Sequence, residues 1–298
     1  MLARLLRRVY FIQLLVGAML GYYAAVQLNQ SGAAALALVF MCTVLLPLLL
    51  QFLVITTSML RSRPKQAGRL WWRAYWGEFL AALQIFWFQL PWAGTSSEVW
   101  CPETQKRHWR IPVLLVHGYI CNHRVWDKTA QALHQAGHPV LAITLEPPFT
   151  SIDEYAPQIQ QAVVQLQQAT GVSQVALVGH SMGGLVIRAW LRQHGSADVA
   201  KIITLGTPHQ GTRIAGWSPT TNVAQMAWNS PWLQSLQASE APATRQLMHI
   251  ALTQHDNIVY PQRDQGLTDA SVTEFTGLGH LELCLDERVI QWLLQKLH

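Results

Sequence analysis

The sequence predicts an α/β protein in which a mostly parallel sheet carries helices on both faces, preceded by an N-terminal transmembrane helical hairpin. Two observations support this prediction. From Ile111 onward, short β-rich apolar runs alternate with segments of helical spacing, which is typical of parallel sheets covered by crossover helices. Before that point, no Asp, Glu, Lys or Arg occurs between Arg8 and Arg61.

The composition is poor in charge. Of the 298 residues, 12% are charged, against a usual share of about a quarter. The net charge of +5 is concentrated in two clusters, which are Arg4, Arg7 and Arg8, and then Arg61, Arg63, Lys65, Arg69 and Arg73. These clusters flank apolar runs instead of lining one folded face, so they favour membrane topology over nucleic-acid binding.

The first 65 residues are predicted to be a membrane anchor. Two uncharged runs, at about 9–28 and 33–60, are separated by turn-forming residues, and each is long enough to cross about 30 Å of hydrocarbon. Loops rich in Lys and Arg stay in the cytoplasm, which predicts a hairpin with both ends there. Two buried core helices would not need 52 successive uncharged residues, and a cleaved signal peptide would leave the second run unexplained.

Residues 66–109 are predicted to be an aromatic-rich interfacial helix and linker. Seven of the 13 tryptophans lie between Trp71 and Trp109, and Trp favours the headgroup level of a bilayer. The uncharged stretch from Phe79 to Leu90 is too short to span. If this segment did cross, the remaining chain would lie on the opposite side of the membrane.

The predicted strands locate the chemistry, because ligands in parallel sheets bind beyond the carboxyl ends of the strands. The loops that follow the strands contain His117-Gly118-Tyr119, Gly179-His180-Ser181, Thr207-Pro208-His209, Asp256 and His280.

The stretch "VALVGHSMGGLVIR" contains Gly-x-Ser-x-Gly around Ser181. The bare motif is weak, but here a buried strand precedes it and a helix follows it, which is the setting of a nucleophile elbow. Gly179 and Gly183 permit the tight turn, and the helix N-terminus favours negative charge nearby. Ser181 is therefore the candidate nucleophile.

A serine nucleophile needs a base and an acid that orients the base, and at such an elbow they follow the serine in the order acid, then histidine. His280 follows the strand-like "SVTEFTG", and Asp256 follows "LMHIALTQ", with Asp264 as the second candidate acid.

The oxyanion would be held by backbone N–H groups. One should come from Met182, directly after the nucleophile, and the other from Tyr119 in the loop after the first strand of the sheet. The side chain of His117 is expected to stabilise that loop.

The motifs "VLLVHGY", "ALVGHSMGGLVIR", "TLGTPHQGT", "HDNIVYP" and "GLGHLEL" together resemble the α/β-hydrolase fold and, within it, bacterial lipases and carboxylesterases. The resemblance covers about residues 110–298. It implies Ser181 as nucleophile, Asp256 as acid and His280 as base, with Tyr119 and Met182 as oxyanion donors. A single glycine follows His117, unlike the HGGG type of oxyanion loop. Hydrolases with an aspartate nucleophile, such as dehalogenases, are excluded by the serine.

Residues 213–247 are predicted to form a cap, as the corresponding region does in lipases. Their apolar residues include Trp217, Met226, Trp228, Trp232 and Leu233. An apolar cap beside a membrane anchor favours hydrophobic acyl chains, although the same residues would also suit a cap packed for stability alone.

The resemblance and the anchor together predict a membrane-anchored serine ester hydrolase, a lipase or carboxylesterase that cleaves acyl esters through an acyl-enzyme. Two alternatives remain open: an acyltransferase or thioesterase with the same triad, and a catalytically inactive membrane-tethered scaffold. The expected location is the bacterial inner membrane, multi-pass, with the catalytic domain in the cytoplasm or, alternatively, the periplasm.

The expected partners are an acyl ester or lipid substrate and the lipid bilayer, with no nucleic acid and no obligatory protein partner. Neither a metal nor an organic cofactor is predicted, because the four cysteines form no CxxC pair and have no metal-ligand spacing. Unpaired thiols are expected, with a Cys101–Cys121 disulfide as the alternative.

Overall fold

The computed structural model describes residues 1–64, 68–94, 98–104, 108–217 and 220–298. Lys65 of the second basic cluster and residues 218–219 of the predicted cap lie outside the described residues, as does the side chain of Trp217.

A six-stranded parallel sheet forms the centre of the C-terminal region, with strand order β2-β1-β3-β4-β5-β6. The predicted α/β fold is thereby confirmed. The strands are β1 Val113–Val116, β2 Val140–Ile143, β3 Val175–His180, β4 Val199–Leu205, β5 Met248–Thr253 and β6 Ser271–Phe275.

Helices cover both faces of the sheet, which is why its inner strands are mostly apolar and buried. Alternate side chains of β1 point to opposite faces, so Leu114 and Val116 join one hydrophobic core while Val113 and Leu115 join the other. Side chains of α5 (Ala156–Thr170) and α6 (Met182–His194) belong to the first core, and those of α4 (Asp127–Gln135) and α10 (Glu287–Lys296) to the second.

Two long helices, α1 Leu2–Gln27 and α2 Gly32–Arg61, occupy the region predicted as a hairpin. Both are long and apolar enough to cross a membrane, with mean hydropathies of 1.7 and 2.7. They pack closely, because a Cβ atom on Gly21 would lie 2.5 Å from the Cα of Val39, and one on Gly17 would lie 2.7 Å from the carbonyl oxygen of Cys42. Small residues at the contact are typical of helix pairs in membranes.

The outer surface of this hairpin is apolar. Large side chains along both helices are exposed, among them Phe11, Leu36, Phe40 and Val54. A continuous apolar surface of this kind is rare on soluble proteins and marks a surface that is normally covered.

The segment predicted as an interfacial helix forms α3 Arg69–Leu83, which continues as a π-helical turn at Gln84–Gln89 and a 3₁₀ turn at Leu90–Trp92. One face of α3 is buried, including Trp71, Tyr75 and Glu78. The opposite side of the segment is an exposed apolar stripe, which consists of Leu70, Trp72, Trp76, Leu80, Phe88 and Trp92.

The helix α3 lies between the hairpin and the sheet region. The hydroxyl groups of Tyr75 and Thr56 are 2.7 Å apart, and the 3₁₀ turn Leu281–Cys284 of the sheet region contacts the other side of α3. The end of α2 is also attached, because the Asn257 Nδ2 group donates to the Ser58 hydroxyl over 3.0 Å. The hairpin therefore rests on the sheet region through both α2 and α3.

Three helices, α7 Thr221–Gln225, α8 Pro231–Ser239 and α9 Pro242–Gln246, occupy the predicted cap. The side chains of Met226, Leu233 and Leu236 are buried in the core that contains α6. A buried ion pair between Arg188 of α6 and Glu240, with 2.5 Å between Nε and Oε1, joins the same two regions. The described part of the cap is thus firmly packed on α6.

Cys121 is a free, buried thiol, so the alternative Cys101–Cys121 disulfide does not form in the structure.

Candidate active site

Ser181 occupies a strained turn between β3 and α6. Its backbone has a φ of 55° and a ψ of −127°, a conformation that side-chain-bearing residues rarely adopt. A Cβ atom on Gly183 would lie 2.2 Å from the carbonyl oxygen of Val116, and one on Gly179 would lie 2.6 Å from the backbone nitrogen of Gly184. The two glycines therefore permit the turn, as the sequence predicts.

The loop after β1 approaches the serine closely at Gly118. A Cβ atom there would lie 2.7 Å from the Cβ of Ser181. This approach brings the following residue, Tyr119, to the same cavity as Met182, the first residue of α6. The first N–H groups of a helix have no acceptor within the helix, so the Met182 N–H suits an oxyanion donor.

The structure brings Asp256 and His280 together from the loops after β5 and β6. The Nδ1 atom of His280 lies 2.8 Å from Oδ2 of Asp256, and both side chains are buried. The other carboxylate oxygen, Oδ1, accepts hydrogen bonds from the N–H groups of Ile258 at 2.9 Å and Val259 at 2.7 Å. Asp264, the second candidate acid, is exposed in a 3₁₀ turn.

The surroundings of His280 favour its role as a base. Burial alone disfavours the imidazolium, but the carboxylates of Asp256 and Glu78 outweigh it and raise the pKa of His280 above its ordinary value. Since Nδ1 faces Asp256, the Nε2 atom remains to accept a proton.

Two neighbouring histidines are held neutral by burial. Burial lowers the pKa of His180 well below its usual value, and its Nε2–H group donates to the carbonyl oxygen of His280 over 3.1 Å. Burial lowers the pKa of His117 to about 4, and its Nε2 atom accepts the N–H of Leu145 at 2.9 Å. His117 thus ties the loop that contains Tyr119 to the chain after β2.

A cavity next to the serine has room for about 20 Å³, which is roughly the space that one water molecule requires. Leu2, the first residue of α1, and Asn222 of α7 also line it. Its walls further include His117, Gly118, Tyr119, Ile120, Cys121, Leu145, Glu146, Pro148, Phe149, Tyr155 and Met182.

Three polar contacts behind His280 are absent from the sequence predictions. The Oε2 atom of Glu78 accepts the N–H groups of Leu281 at 2.8 Å and Glu282 at 3.3 Å. The Oδ1 atom of Asn257 accepts the N–H of His280 itself at 3.2 Å. One signal was available, because Glu78 is the single charged residue between Arg73 and Glu98, and a charge in an apolar segment requires a partner.

The parallel sheet, the strained serine after β3 and the histidine–acid pair after β6 and β5 together define a class. The chain has the α/β-hydrolase fold, as its motifs predict, and its candidate site contains the serine, acid and histidine that a serine hydrolase uses.

The sequence comparisons agree with that class. The palmitoyl protein thioesterase family matches residues 112–259. A triacylglycerol lipase of Pseudarthrobacter phenanthrenivorans is 34% identical over 115 residues, which cover 36% of this chain and 35% of the lipase. A triacylglycerol lipase of Vibrio cholerae is 29% identical over 143 residues, which cover 46% and 44%. The chain thus spans between a third and a half of the length of these curated relatives.

Solved structures show the same fold. The mature lipase of Bacillus licheniformis superposes with a TM-score of 0.58 at 17% identity, covering 68% of this chain and 99% of that one. Lipase B of Aspergillus fumigatus superposes with a TM-score of 0.50 at 17% identity, covering 62% and 52%. At these identities the similarity establishes the α/β-hydrolase fold.

Proposed function

We propose that this protein is a membrane-anchored serine ester hydrolase that cleaves acyl esters through an acyl-enzyme. The observation that carries the proposal is the 2.8 Å contact between His280 and Asp256 at the sheet edge where Ser181 adopts its strained conformation. The names of the relatives, triacylglycerol lipases, support an ester of a fatty acid as the substrate.

In the first half of the reaction, the Ser181 hydroxyl oxygen attacks the ester carbonyl carbon while His280 Nε2 takes the hydroxyl proton. Asp256 stabilises the resulting imidazolium and keeps Nε2 directed at the serine. The N–H groups of Met182 and Tyr119 donate to the oxyanion of the tetrahedral intermediate. The intermediate collapses when His280 returns the proton to the leaving alcohol, which leaves the acyl group on Ser181.

In the second half, His280 takes a proton from water, and the hydroxide attacks the acyl carbonyl carbon. The same two N–H groups hold the second oxyanion. The bond to Ser181 then breaks, the proton returns to the serine oxygen, and the free acid leaves.

The two apolar helices are proposed to cross a membrane as a hairpin. Their exposed apolar surface and their close packing at Gly17 and Gly21 support this assignment. Both outer ends of the hairpin lie against the hydrolase domain, since Leu2 lines its cavity and Ser58 contacts Asn257. Such an arrangement suits a hairpin whose two ends are on one side, and the flanking arginines favour the cytoplasm of a bacterial cell.

The exposed stripe on α3, which includes Trp72, Trp76 and Leu80, is proposed to lie at the headgroup level of the bilayer. The catalytic cavity is lined by Leu2 at the start of α1. The cavity has room for about one water molecule, so an acyl chain enters it only when Leu2 moves aside. A lipid acyl chain that follows α1 out of the bilayer would reach Ser181 by this route.

A thioesterase is the second candidate, and the match to the palmitoyl protein thioesterase family supports it. The same triad attacks a thioester carbonyl, and the leaving group is then a thiol instead of an alcohol. The distinction lies in the substrate and leaves the roles of Ser181, His280 and Asp256 unchanged.

The test compares p-nitrophenyl esters of graded chain length with a palmitoyl thioester, using the full chain in detergent micelles. We expect ester hydrolysis that depends on Ser181 and favours longer acyl chains. Faster cleavage of the thioester would select the thioesterase. Added alcohol that captured the acyl group would select an acyltransferase. Failure of a fluorophosphonate probe to label Ser181 would instead support an inactive scaffold.

The orientation is tested separately by protease treatment of spheroplasts. We expect the hydrolase domain to resist external protease and to be cleaved after lysis. Cleavage in intact spheroplasts would move the domain to the periplasm.

A further inference from the structure

A buried carboxyl group from outside the hydrolase domain lies directly behind the catalytic histidine. Glu78 belongs to α3, and its side chain is completely buried. It is about 200 residues away from the loop that it contacts, since its bonds to the N–H groups of Leu281 and Glu282 span 203 and 204 positions. Burying an acidic group is unfavourable unless other groups compensate for the lost water, so its location requires an explanation.

The contacts of Glu78 are concentrated on the loop that contains His280. One oxygen, Oε2, accepts the N–H groups of the two residues that follow the histidine, at 2.8 Å and 3.3 Å. A Cβ atom on Gly279, the residue that precedes the histidine, would lie 2.4 Å from the same oxygen. The carboxyl group therefore lies against the backbone on both sides of His280.

A second carboxyl group supports the same loop. The Oε2 atom of Glu282 accepts the N–H of Gly279 at 2.7 Å, and a Cβ atom on Gly77, next to Glu78, would lie 2.0 Å from Oε1 of Glu282. The absence of side chains at Gly77 and Gly279 thus lets α3 and the histidine loop approach each other. Both α3 and the histidine loop thus contribute a carboxyl group and a glycine to this contact.

We propose that Glu78 is a positioning residue for His280, which it holds in register with Ser181 through the backbone of the histidine loop. The inference rests on the proposed serine hydrolase activity. It also makes α3 part of the catalytic unit, although α3 precedes the hydrolase domain in the sequence.

Glu78 and His280 also influence each other electrostatically. Burial is the main cause that raises the pKa of Glu78 to about 8, and the positive charge of His280 opposes that rise. In return, Glu78 helps to raise the pKa of His280, together with Asp256. The titratable groups that influence His280 or Glu78 are Asp256, His180, Glu282 and Cys284. Below about pH 8 the Glu78 carboxyl group is mostly protonated, so there Asp256 supplies the negative charge beside the imidazolium and Glu78 acts through its hydrogen bonds to the loop.

The experiment uses the full chain in detergent micelles with three variants, Glu78→Ala, Glu78→Gln and Gln84→Ala. Active sites are counted with a fluorophosphonate probe so that kcat refers to folded enzyme. Glu78→Ala should lower kcat roughly 10- to 100-fold, as expected for the loss of hydrogen bonds to a buried carboxyl group, while KM changes little. Gln84 is exposed in the π-helical turn that continues α3 and lies outside the apolar stripe, so its variant should match the wild type.

The Gln variant separates positioning from charge. Its amide oxygen still accepts the N–H groups of Leu281 and Glu282, so most of kcat should return at pH 8. Because Glu78 is mostly protonated below about pH 8, the neutral amide should also leave the acid-side midpoint of kcat/KM close to that of the wild type. This measurement also decides the matter if Glu78→Ala fails to fold.

An unchanged kcat per active site in Glu78→Ala, or a Gln variant whose kcat falls as far as that of Glu78→Ala, would overturn the positioning role. Either result would leave the proposed function intact as long as hydrolysis depended on Ser181. If hydrolysis did not depend on Ser181, the proposed function itself would fail first.

Discussion

The hydrolase domain and the N-terminal helices differ in where their apolar side chains lie. In the hydrolase domain, the strands and helices bury theirs in two cores on either side of the sheet. In α1 and α2, most large apolar side chains are exposed, and burial is limited to the helix contact and to the ends that meet the domain. The second core also contains side chains of α2 and α3, such as Met59 and Tyr75, so the two regions share part of one core.

The junction between the two regions differs from both of them. It contains Glu78 and Ser58, which contact the loops that carry His280 and Asn257. The N-terminal helices therefore contact the loop that carries the candidate catalytic histidine.

The largest effect should come from Ser181→Ala, because it removes the nucleophile from the hydrolase domain. Loss of a catalytic serine lowers kcat by up to about 10⁶-fold, so ester hydrolysis should fall to the background rate. The melting temperature in detergent should stay within a few degrees or rise slightly, since the strained turn loses only a hydroxyl. Ser173→Ala, at an exposed loop position, is the matched control and should retain full activity.

The second effect concerns the acid. Asp256→Asn should lower kcat roughly 10³- to 10⁴-fold, by analogy with the orienting aspartate of other triads. The carboxylate raises the pKa of His280, so the residual activity should have its acid-side midpoint at lower pH than the wild type. Asp264→Asn should leave the pH profile unchanged. A profile that changed in Asp264→Asn but not in Asp256→Asn would identify Asp264 as the acid instead.

The third effect concerns the hairpin. Gly21→Leu places side-chain atoms where a Cβ alone would lie 2.5 Å from the Cα of Val39. Overpacking of this kind costs about 1–3 kcal/mol, so thermal unfolding in detergent should shift to lower temperature. The kcat of the enzyme that remains folded should be unchanged, because the site is at the other end of the hairpin. Ala34→Leu, at an exposed position of α2, is the control.

The smallest effect concerns stability against pH at the junction. Burial raises the pKa of Glu78 to about 8 from its ordinary value near 4.5, so the folded state binds this proton more tightly than the unfolded state. Its contribution to stability is complete below about pH 4.5 and is lost as pH rises through about 8.

Glu78→Gln stays neutral and should lose less stability than the wild type between about pH 4.5 and pH 8. Differential scanning fluorimetry at several pH values measures this difference. Burial also raises the pKa of Glu282, to about 7, but that contribution is common to both proteins. The exposed Glu98→Gln serves as control, and parallel curves for wild type and Glu78→Gln would contradict the assignment.

Much of the hydrolase domain could be predicted from the sequence, because its signals are local. Each strand is a short apolar run, and the elbow at Ser181 is specified by the glycines around it. The order of Ser181, Asp256 and His280 along the chain also follows from the fold that the motifs resemble. The structure accordingly places Asp256 beside His280 and leaves Asp264 exposed.

The remaining features depend on contacts that no local pattern encodes. Glu78 interrupts an apolar helix, which signals a buried partner, but the partner lies about 200 residues further along the chain. Likewise, the sequence around the cap residues Met226 and Leu233 is compatible with an apolar lid over the site or with a packed core. The structure buries both residues in the core. Leu2 in the catalytic cavity has no signal in the sequence at all, because a leucine in an apolar helix is ordinary.

The most direct test of the central claim is to trap the acyl-enzyme. The full chain in detergent is mixed with a p-nitrophenyl ester, quenched with acid within the first turnover, digested and analysed by mass spectrometry. We predict a burst of nitrophenol and an acyl adduct on the hydroxyl of Ser181, with neither in Ser181→Ala. An adduct on another residue, or steady hydrolysis that continues in Ser181→Ala, would contradict the account.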